Sequence, residues 1–246
     1  MNGRTAWAMC VGAMALVSAS MTFAQKYPEK PIRIVVPFPP GGNIDITART
    51  VSPGMGEMLG AQVVVDNRGG AAGTIGVDLV AKSPPDGYNL VLGSTGTITG
   101  APSLYPKLPY DPVKDLVAIS LVNEVPIMIV VHPAIRAKNM QELVALAKAQ
   151  PGRMTMGSPG AGSTNHLAGE LFQIATGTKL SHIPYKGSGP ALIDLMGGQI
   201  DLIFDQMTAS IGYVKAGKLR AIGLAQQTRS NQLPDVPTLA EQGCKG

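Results

Sequence analysis

The chain twice repeats a unit in which a short apolar run, a glycine-rich loop and a helical stretch follow one another. In the first unit, the β-branched run at residues 32–36 is broken by Pro39-Pro40-Gly41-Gly42, and a helical pattern begins near Asn43. In the second, residues 154–162 contain a strand-like run and a glycine-rich loop, and Ser163 can cap the helix that follows. Strands that alternate with helices in this way indicate an α/β fold.

Similar runs occupy the rest of the chain. Strands are predicted at residues 63–65, 90–92, 127–131, 199–204 and 219–224, and helices at 74–82, 140–149 and 191–196. Pro53 lies inside the first helical stretch, where we expect the helix to kink or restart. In the helix after Ser163, the spacing of the apolar residues predicts that they form its buried face: Leu167, Leu171, Ile174 and Ala175.

The first 24 residues are typical of an export signal. Arg4 supplies a positive start, residues 6–20 are mostly apolar, and Ala24 is the small residue expected before a cleavage site. The apolar run is interrupted by serine and is shorter than the roughly 18 residues that a membrane span needs. We therefore expect cleavage before Gln25 and a soluble, exported protein.

Composition excludes several classes of protein. The 246 residues are 45% hydrophobic and 15% charged, which is enough apolar material for a core and argues against disorder. The formal net charge is only +4 and aromatic residues make up 4%, so neither the basic patch nor the stacking surface of a nucleic-acid binder is expected. Cys10 lies in the predicted signal, so the exported protein would keep only Cys244 and could form no internal disulfide.

The two glycine-rich loops suggest a site for a small anion. Each loop leads into a helix whose first backbone N–H groups have no partner within the helix, and glycine lets a ligand come close to them. Asn43, Ser158, Ser163 and Thr164 add side-chain hydrogen-bonding groups, whereas neither loop contains lysine or arginine. This chemistry favours a small acid over a polyphosphate. The alternative is that glycine and proline here form ordinary turns.

Enzyme signatures are weak. Residues 212–218 match GxxxxGK, but Leu219 replaces the hydroxyl residue of a phosphate-binding loop, and a helix ending at Gly217 explains the pattern. No serine has the flanking glycines of a hydrolase elbow, and the three histidines lack metal-ligand spacing. Asp45 and Asp205 form a conceivable acid/base pair, but nothing beside them supplies a nucleophile. We expect no catalysis, cofactor or metal.

Pro37 to Asp45 has the sequence PFPPGGNID, and Gly157 to Leu167 has the sequence GSPGAGSTNHL. These motifs resemble the PFxPGGxxD loop and the GSxGxGSxxHL helix start of the Bug family of tripartite tricarboxylate transporter substrate-binding proteins. Further matching segments cover nearly all of the chain after the signal: residues 65–73, 84–88, 105–115, 183–187, 197–205 and 234–243.

The resemblance implies an α/β, two-lobed periplasmic-binding-protein-like fold of type II, in which each lobe is a mixed sheet flanked by helices and the ligand cleft lies between the lobes. The lobes would comprise residues 25–126 and 127–226, and residues 227–246 would return toward the first lobe. Family members continue for some 70 residues further, so a truncated member with exposed apolar surface on the first lobe is expected.

The resemblance also implies a function and a site. The protein would capture a small carboxylate, such as a di- or tricarboxylate, an acidic amino acid or an aromatic acid, and deliver it as a monomer to a membrane permease. Matching positions predict the ligand-binding residues, namely Phe38, Gly41, Gly42, Asn43, Asp45, Ser94, Thr95, Thr97, Ser158, Ser163, Thr164, Tyr185 and Asp205. Alternatively, the protein signals to a membrane sensor, or the chain is a non-functional fragment.

Two of these predictions carry their own alternatives. Asp45 can equally serve only to stabilise the start of its helix. Tyr185 can equally be a core or hinge residue. Asn43-Ile44 and residues 97–102 depart from the family's usual residues, so the identity of the carboxylate stays open.

Overall fold

A computed structural model describes residues 26–244, and the predicted export signal with Cys10 lies outside the described residues. Eight strands are present: β1 (Ile32–Val36), β2 (Val63–Asn67), β3 (Asn89–Val91), β4 (Ile127–Val131), β5 (Thr155–Ser158), β6 (Ser181–Pro184), β7 (Leu202–Gln206) and β8 (Arg220–Ala225). The α-helices are α1 (Asn43–Leu59), α2 (Thr74–Ala81), α3 (Ala101–Leu104), α4 (Met140–Ala149), α5 (Thr164–Thr176), α6 (Ser188–Met196) and α7 (Met207–Lys215). The predicted alternation is confirmed.

The strands form two separate sheets. The first is parallel, in the order β2-β1-β3. The second is mixed, in the order β6-β5-β7-β4-β8: β5 runs parallel to β6 and β7, whereas β4 runs antiparallel to β7 and β8. We refer to residues 32–104 as the three-stranded unit and to residues 127–225 as the five-stranded unit. The predicted lobe boundaries themselves stay predictions.

The five-stranded sheet is buried on both faces. In β4, Met128 and Val130 belong to the apolar cluster on one face, which includes α6, whereas Ile129 and Val131 belong to the cluster on the other, which includes α4. Because successive side chains of a strand alternate, a continuous apolar run is what such a strand requires. A smaller cluster around Ile34 and Val36 packs against α1.

Two sequence predictions about helices need correction. Of the kink or restart expected at Pro53, the restart does not occur, since α1 continues through this residue. Pro53 and Arg49 are exposed, so water can satisfy the carbonyl that proline leaves unbonded. In α5, Leu171 and Ile174 are 66% and 79% exposed, and Phe172 is buried instead. The apolar spacing indicated a helix correctly but assigned the wrong face to the core.

The segment between the two units carries exposed apolar side chains. Val113, Val117, Ile119 and Leu121 are each more than 70% exposed, in a stretch without regular secondary structure. Within residues 26–244, no helix combines the length and hydropathy needed to cross a membrane.

Candidate functional site

A cavity lies where the carboxyl ends of strands from both sheets meet. The loop after β1, the turn after β3, the loop after β5 and the starts of α6 and α7 all reach it. Counting the solvent at its mouth, its volume is about 340 Å³. Its eleven lining residues are all uncharged: Phe38, Gly42, Asn43, Ile44, Ser94, Pro159, Ser163, Thr164, Asn165, Ser188 and Gln206. The carboxyl ends of parallel strands are the usual place for a ligand in α/β proteins.

Three helices begin at this cavity without a side-chain cap. The cap positions of α1, α6 and α7 are Gly42, Gly187 and Gln206, and none of their side chains bonds the helix start. Asn43 is the first helical residue of α1 and not its cap. Uncapped N–H groups carry a partial positive charge, so the helix starts favour a negatively charged group in the cavity.

The fourth helix start is capped. The Ser163 side chain accepts a hydrogen bond from the backbone N–H of His166, which confirms the predicted cap of α5. The same hydroxyl residue also lines the cavity. Ser163 therefore links the stability of α5 to the shape of the cavity wall.

The two units touch directly around the cavity. The backbone N–H of Gly96 donates to Thr164 Oγ1 at 3.2 Å, which connects the turn after β3 to the start of α5. A Cβ atom added to Gly96 would lie 2.9 Å from the backbone nitrogen of Thr164, and one added to Gly189 would lie 2.8 Å from the carbonyl oxygen of Pro40. Neither contact leaves room for a side chain, so glycine permits this close approach.

Asp45 holds the first loop rather than lining the cavity. Its carboxylate accepts the backbone N–H of Gly41 at 3.0 Å and also hydrogen bonds from Arg49 and Asn67. Burial alone would raise the pKa of Asp45, but these three hydrogen bonds outweigh it and keep the pKa below its ordinary value. Asn67 in turn donates to the carbonyl of Phe38, so one network fixes the loop.

Asp205 lies behind the cavity wall. It is fully buried, and its Oδ1 accepts hydrogen bonds from Asn165 Nδ2 at 2.9 Å and Ser188 Oγ at 3.0 Å. Its Oδ2 is buried and makes no close hydrogen bond among the described residues, although the Ser210 hydroxyl and the backbone N–H of Gln206 lie near enough to lower the pKa of Asp205. Burial raises the pKa of Asp205 to about 6, although the hydrogen bonds act in the opposite direction.

The structure therefore divides the predicted site residues into two groups. Six line the cavity: Phe38, Gly42, Asn43, Ser94, Ser163 and Thr164. Seven do not form its wall: Gly41, Asp45, Thr95, Thr97, Ser158, Tyr185 and Asp205. Gly41 and Asp45 shape the first loop, as described above.

Thr97 and Tyr185 have structural partners. The Thr97 hydroxyl accepts the backbone N–H of Ser94 at 2.9 Å, whereas Thr95 is exposed. Tyr185 donates its hydroxyl to Asp194 at 2.7 Å. Burial, together with this carboxylate, raises the pKa of Tyr185 to about 12. Both side chains thus stabilise the protein around the cavity without lining it.

Ser158 contacts a pair of stacked histidines that the sequence analysis did not predict. His166 and His182, 16 positions apart in the sequence, stack with their ring centroids 4.1 Å apart, and His182 Nε2 lies 2.7 Å from Ser158 Oγ. Burial lowers the pKa of His182, and the neighbouring His166 lowers it further. Ser158 itself is fully buried, so its contact with His182 helps to hold the start of the loop after β5.

Sequence reasoning missed five lining residues, namely Ile44, Pro159, Asn165, Ser188 and Gln206. Three are direct neighbours of predicted ones: Ile44 follows Asn43, Pro159 follows Ser158 and Gln206 follows Asp205. Asn165 and Ser188 occupy the first turns of helices that follow strands, and that position was a usable signal.

Two α/β units with a cavity at the carboxyl ends of their strands define the class of periplasmic solute-binding proteins. Solved structures agree. BugD, a periplasmic binding protein, is 40% identical, with a TM-score of 0.86 over 89% of this chain and 73% of that one. MatC from Rhodopseudomonas palustris, solved with bound malate, is 32% identical with a TM-score of 0.85 over 89% and 74%. The predicted fold class is confirmed.

The family follows from sequence. The model of the tripartite tricarboxylate transporter family receptor matches residues 47–246, and the chain belongs to that family. Protein BugT of Bordetella pertussis is 42% identical over 226 residues, which are 92% of this chain and 69% of BugT. A UPF0065 protein of Agrobacterium vitis is 44% identical over 219 residues, 89% of this chain and 63% of that protein.

Proposed function

We propose that the cavity binds the carboxylate group of a small organic acid and that the chain acts as a receptor for it. The observation that carries this proposal is the convergence of three uncapped helix starts, those of α1, α6 and α7, on one cavity with uncharged walls. Each charge-assisted hydrogen bond from such a group contributes roughly 1.5–3 kcal/mol. A few of them suffice to bind a small acid.

The proposed ligand is a carboxylate rather than a phosphate. No lysine or arginine is among the described residues that line the cavity, and polyphosphates usually recruit fixed positive charge. Two structural relatives support the same chemistry, since MatC was solved with malate and another R. palustris protein, 34% identical, with adipate.

Membership of the receptor family supports the remaining parts of the proposal. We propose that the protein is periplasmic, that it binds and releases its ligand without chemical conversion, and that a membrane permease of the tripartite tricarboxylate type receives the ligand. We further propose closure of the two units over the ligand, because both contribute to the cavity wall.

Thermal unfolding with a panel of mono-, di- and tricarboxylates tests the proposal. An acid present at 100 times its dissociation constant adds about 2.7 kcal/mol to the apparent free energy of unfolding. We expect one class of acid to raise the melting temperature, while inorganic phosphate does not. A cooperative melt that no carboxylate shifts would overturn the proposed function.

A substitution at Gly42 tests the location of the site. Gly42 is buried on the cavity wall with φ −88° and ψ 169°, a conformation that valine also adopts. Gly42→Val therefore adds methyl groups to the cavity without backbone strain, and we expect at least tenfold weaker carboxylate binding by calorimetry. The matched control is Gly54→Val, at an exposed position of α1 with open space around it. Equal affinities for the two variants would exclude the first loop.

A further inference from the structure

The loop after β5, residues 159–162, forms part of the cavity wall. Pro159 lines the cavity, and so does Ser163, which follows the loop. Gly160 and Gly162 have φ values of +136° and +84°, in the left-handed region that favours glycine. Because the loop belongs to neither β5 nor α5, the hydrogen bonds of its own N–H groups hold it in place.

Two histidines that lie behind the cavity wall support these hydrogen bonds. The backbone N–H of Gly162 donates to His166 Nδ1 at 3.1 Å. The backbone N–H of Gly160 donates to Ser158 Oγ at 3.1 Å, and His182 Nε2 lies 2.7 Å from the same oxygen. Neither histidine is among the residues that line the cavity. They therefore act on the loop rather than on a ligand.

Two contacts fix the protonation state of His166. An imidazole nitrogen that accepts a hydrogen bond carries no hydrogen, so the bond from Gly162 requires an unprotonated Nδ1. The hydrogen of the neutral ring is then on Nε2, which lies 3.5 Å from Glu170 Oε1. A second proton would have to enter at Nδ1, where it would face the N–H of Gly162. Protonation of His166 therefore breaks the bond that holds Gly162.

The titratable groups that face His166 in the described part of the chain are His182 on β6 and Glu170 on α5. The two imidazole rings have centroids 4.1 Å apart, so charge on one ring opposes charge on the other. Burial lowers the pKa of His182 and His166 lowers it further, whereas Glu170 acts in the opposite direction. Because Glu170 lies beside Nε2 of His166, the first proton of the pair enters His166. From the end of α3, Tyr105 donates to the carbonyl of Ala161 in the same loop, a contact that does not involve the histidines.

We propose that neutral His166 positions the loop for carboxylate binding, and that protonation of the histidine pair releases the loop and the bound acid. Simple charge attraction predicts the opposite, because a positive charge near the start of α5 would favour an anion in the cavity. The loss of the loop bond outweighs this attraction, since His166 lies behind the wall and Glu170 offsets its charge. This inference rests on the proposed function, since it assumes that the cavity binds a carboxylate.

Calorimetry on the full chain at pH 8 and pH 5.5 tests the inference. The probe is the acid of the carboxylate panel that raises the melting temperature most. His166→Asn keeps an acceptor oxygen near the position of Nδ1 but cannot be protonated. Protonation of the probe itself affects this variant and the wild type equally, so the comparison isolates the histidine. We expect the wild type to lose at least about 10-fold more affinity than His166→Asn between the two pH values.

Two further variants separate this effect from other changes. His166→Ala removes the acceptor, and we expect it to bind the probe about 10-fold more weakly than the wild type at pH 8. His132→Asn is the matched control, because His132 Nδ1 also accepts a backbone N–H, that of Ala134 at 3.2 Å, but His132 does not line the cavity. This variant should show the affinity and the pH dependence of the wild type.

A measurement without ligand covers the case in which the His166 variants fail to fold. In the wild type at pH 8, nitrogen NMR should show the neutral His166 ring with its hydrogen on Nε2. As pH falls, the Gly162 amide resonance should shift with the same midpoint as this ring. A hydrogen on Nδ1 at pH 8, or a Gly162 amide that does not follow the ring, would overturn the inference.

The outcomes keep the inference and the proposed function apart. Equal pH dependence in the wild type and His166→Asn would overturn the inference and leave carboxylate binding intact. Tighter binding by the wild type at pH 5.5 than at pH 8 would do the same. A cooperative melt that no acid of the panel shifts would instead overturn the proposed function, and the NMR titration would still decide whether the histidine pair controls the loop.

Discussion

Single carboxylates in this protein act by orienting other groups. Asp45 gathers Gly41, Arg49 and Asn67 around the first loop, and Asp205 does the same for Ser188 and Asn165 in the five-stranded unit. Their environments differ, because Asp45 has the guanidinium of Arg49 as a partner whereas Asp205 has only neutral donors. Burial raises the pKa of Asp205 despite its hydrogen bonds, whereas at Asp45 the hydrogen bonds and the charge of Arg49 outweigh burial and lower the pKa.

The raised pKa of Asp205 predicts a pH-dependent stability. Between the ordinary value of 3.8 and about 6, the folded protein holds a proton that the unfolded chain releases. The free energy of unfolding should therefore fall by about 3 kcal/mol as pH rises through this window. Asp205→Asn has no such proton, so urea unfolding from pH 4 to pH 7 should show a shallower decline for the variant. Parallel curves would contradict this prediction.

At the scale of secondary structure, the N-terminal cap of a helix can affect both the stability of the protein and the wall of the cavity. The cap of α4 by Asn139 and that of α5 by Ser163 use the same geometry, a side-chain oxygen that accepts a backbone N–H in the first turn. Ser163 lines the cavity and Asn139 does not, while Asn139 also donates a hydrogen bond from Nδ2 to Glu142 Oε1. This pair allows the two effects of a cap to be separated.

Removing either cap should cost similar stability but different affinity. Ser163→Ala and Asn139→Ala should each lower the free energy of unfolding by about 1 kcal/mol. Only Ser163→Ala should also weaken binding of the acid that shifts the melt, because the start of α5 forms part of the cavity wall. Chemical denaturation and calorimetry on both variants check this, and equal affinities would contradict it.

The orientation of α5 can be tested in the same way. Phe172 is buried and packs on Phe204 with ring centroids 5.2 Å apart, so Phe172→Ala should cost about 3–5 kcal/mol. Leu171 is 66% exposed, and Leu171→Ala should change the free energy of unfolding by less than about 0.5 kcal/mol. Denaturant titration of both variants measures the difference. A larger loss for Leu171→Ala would show that the helix face is misassigned.

At the scale of the molecule, small residues set how closely the two units approach. Gly41 and Gly189 face each other across the junction, and Gly96 packs against the backbone of residues 162–164. Side chains at these positions would hold the units apart and widen the cavity. Because the ligand-facing wall comes from both units, affinity depends on this approach as much as on any single contact.

Gly189→Ala tests the importance of close approach. The new Cβ would lie 2.8 Å from the carbonyl oxygen of Pro40, which belongs to the backbone and cannot rotate away. We expect about 10-fold to 100-fold weaker binding of the acid that shifts the melt. Gly212→Ala, on α7 with nothing within 4 Å, is the matched control and should bind normally. Small-angle scattering should show a smaller loss of radius on ligand addition for Gly189→Ala.

Local patterns in the sequence predicted most elements and half of the cavity wall. The β-branched run at residues 32–36, the helix beginning near Asn43 and the cap at Ser163 all appear as expected, because strand preference and capping depend on neighbours a few positions away. Lining residues such as Gly42 and Thr164 were predicted because they belong to such local motifs.

The tertiary structure alone decided which predicted residues face the cavity and which lie behind it. Asp205 and Ser188 are 17 positions apart in the sequence, and His166 and His182 are 16 apart, yet packing of separate strands and helices brings each pair into contact. The buried face of α5 was likewise set by packing between Phe172 and Phe204 rather than by periodicity. The sequence by itself thus determined the strands, the helices and the glycine-rich loops between them. Packing against distant strands decided which side chains face the cavity, because local spacing does not encode long-range packing.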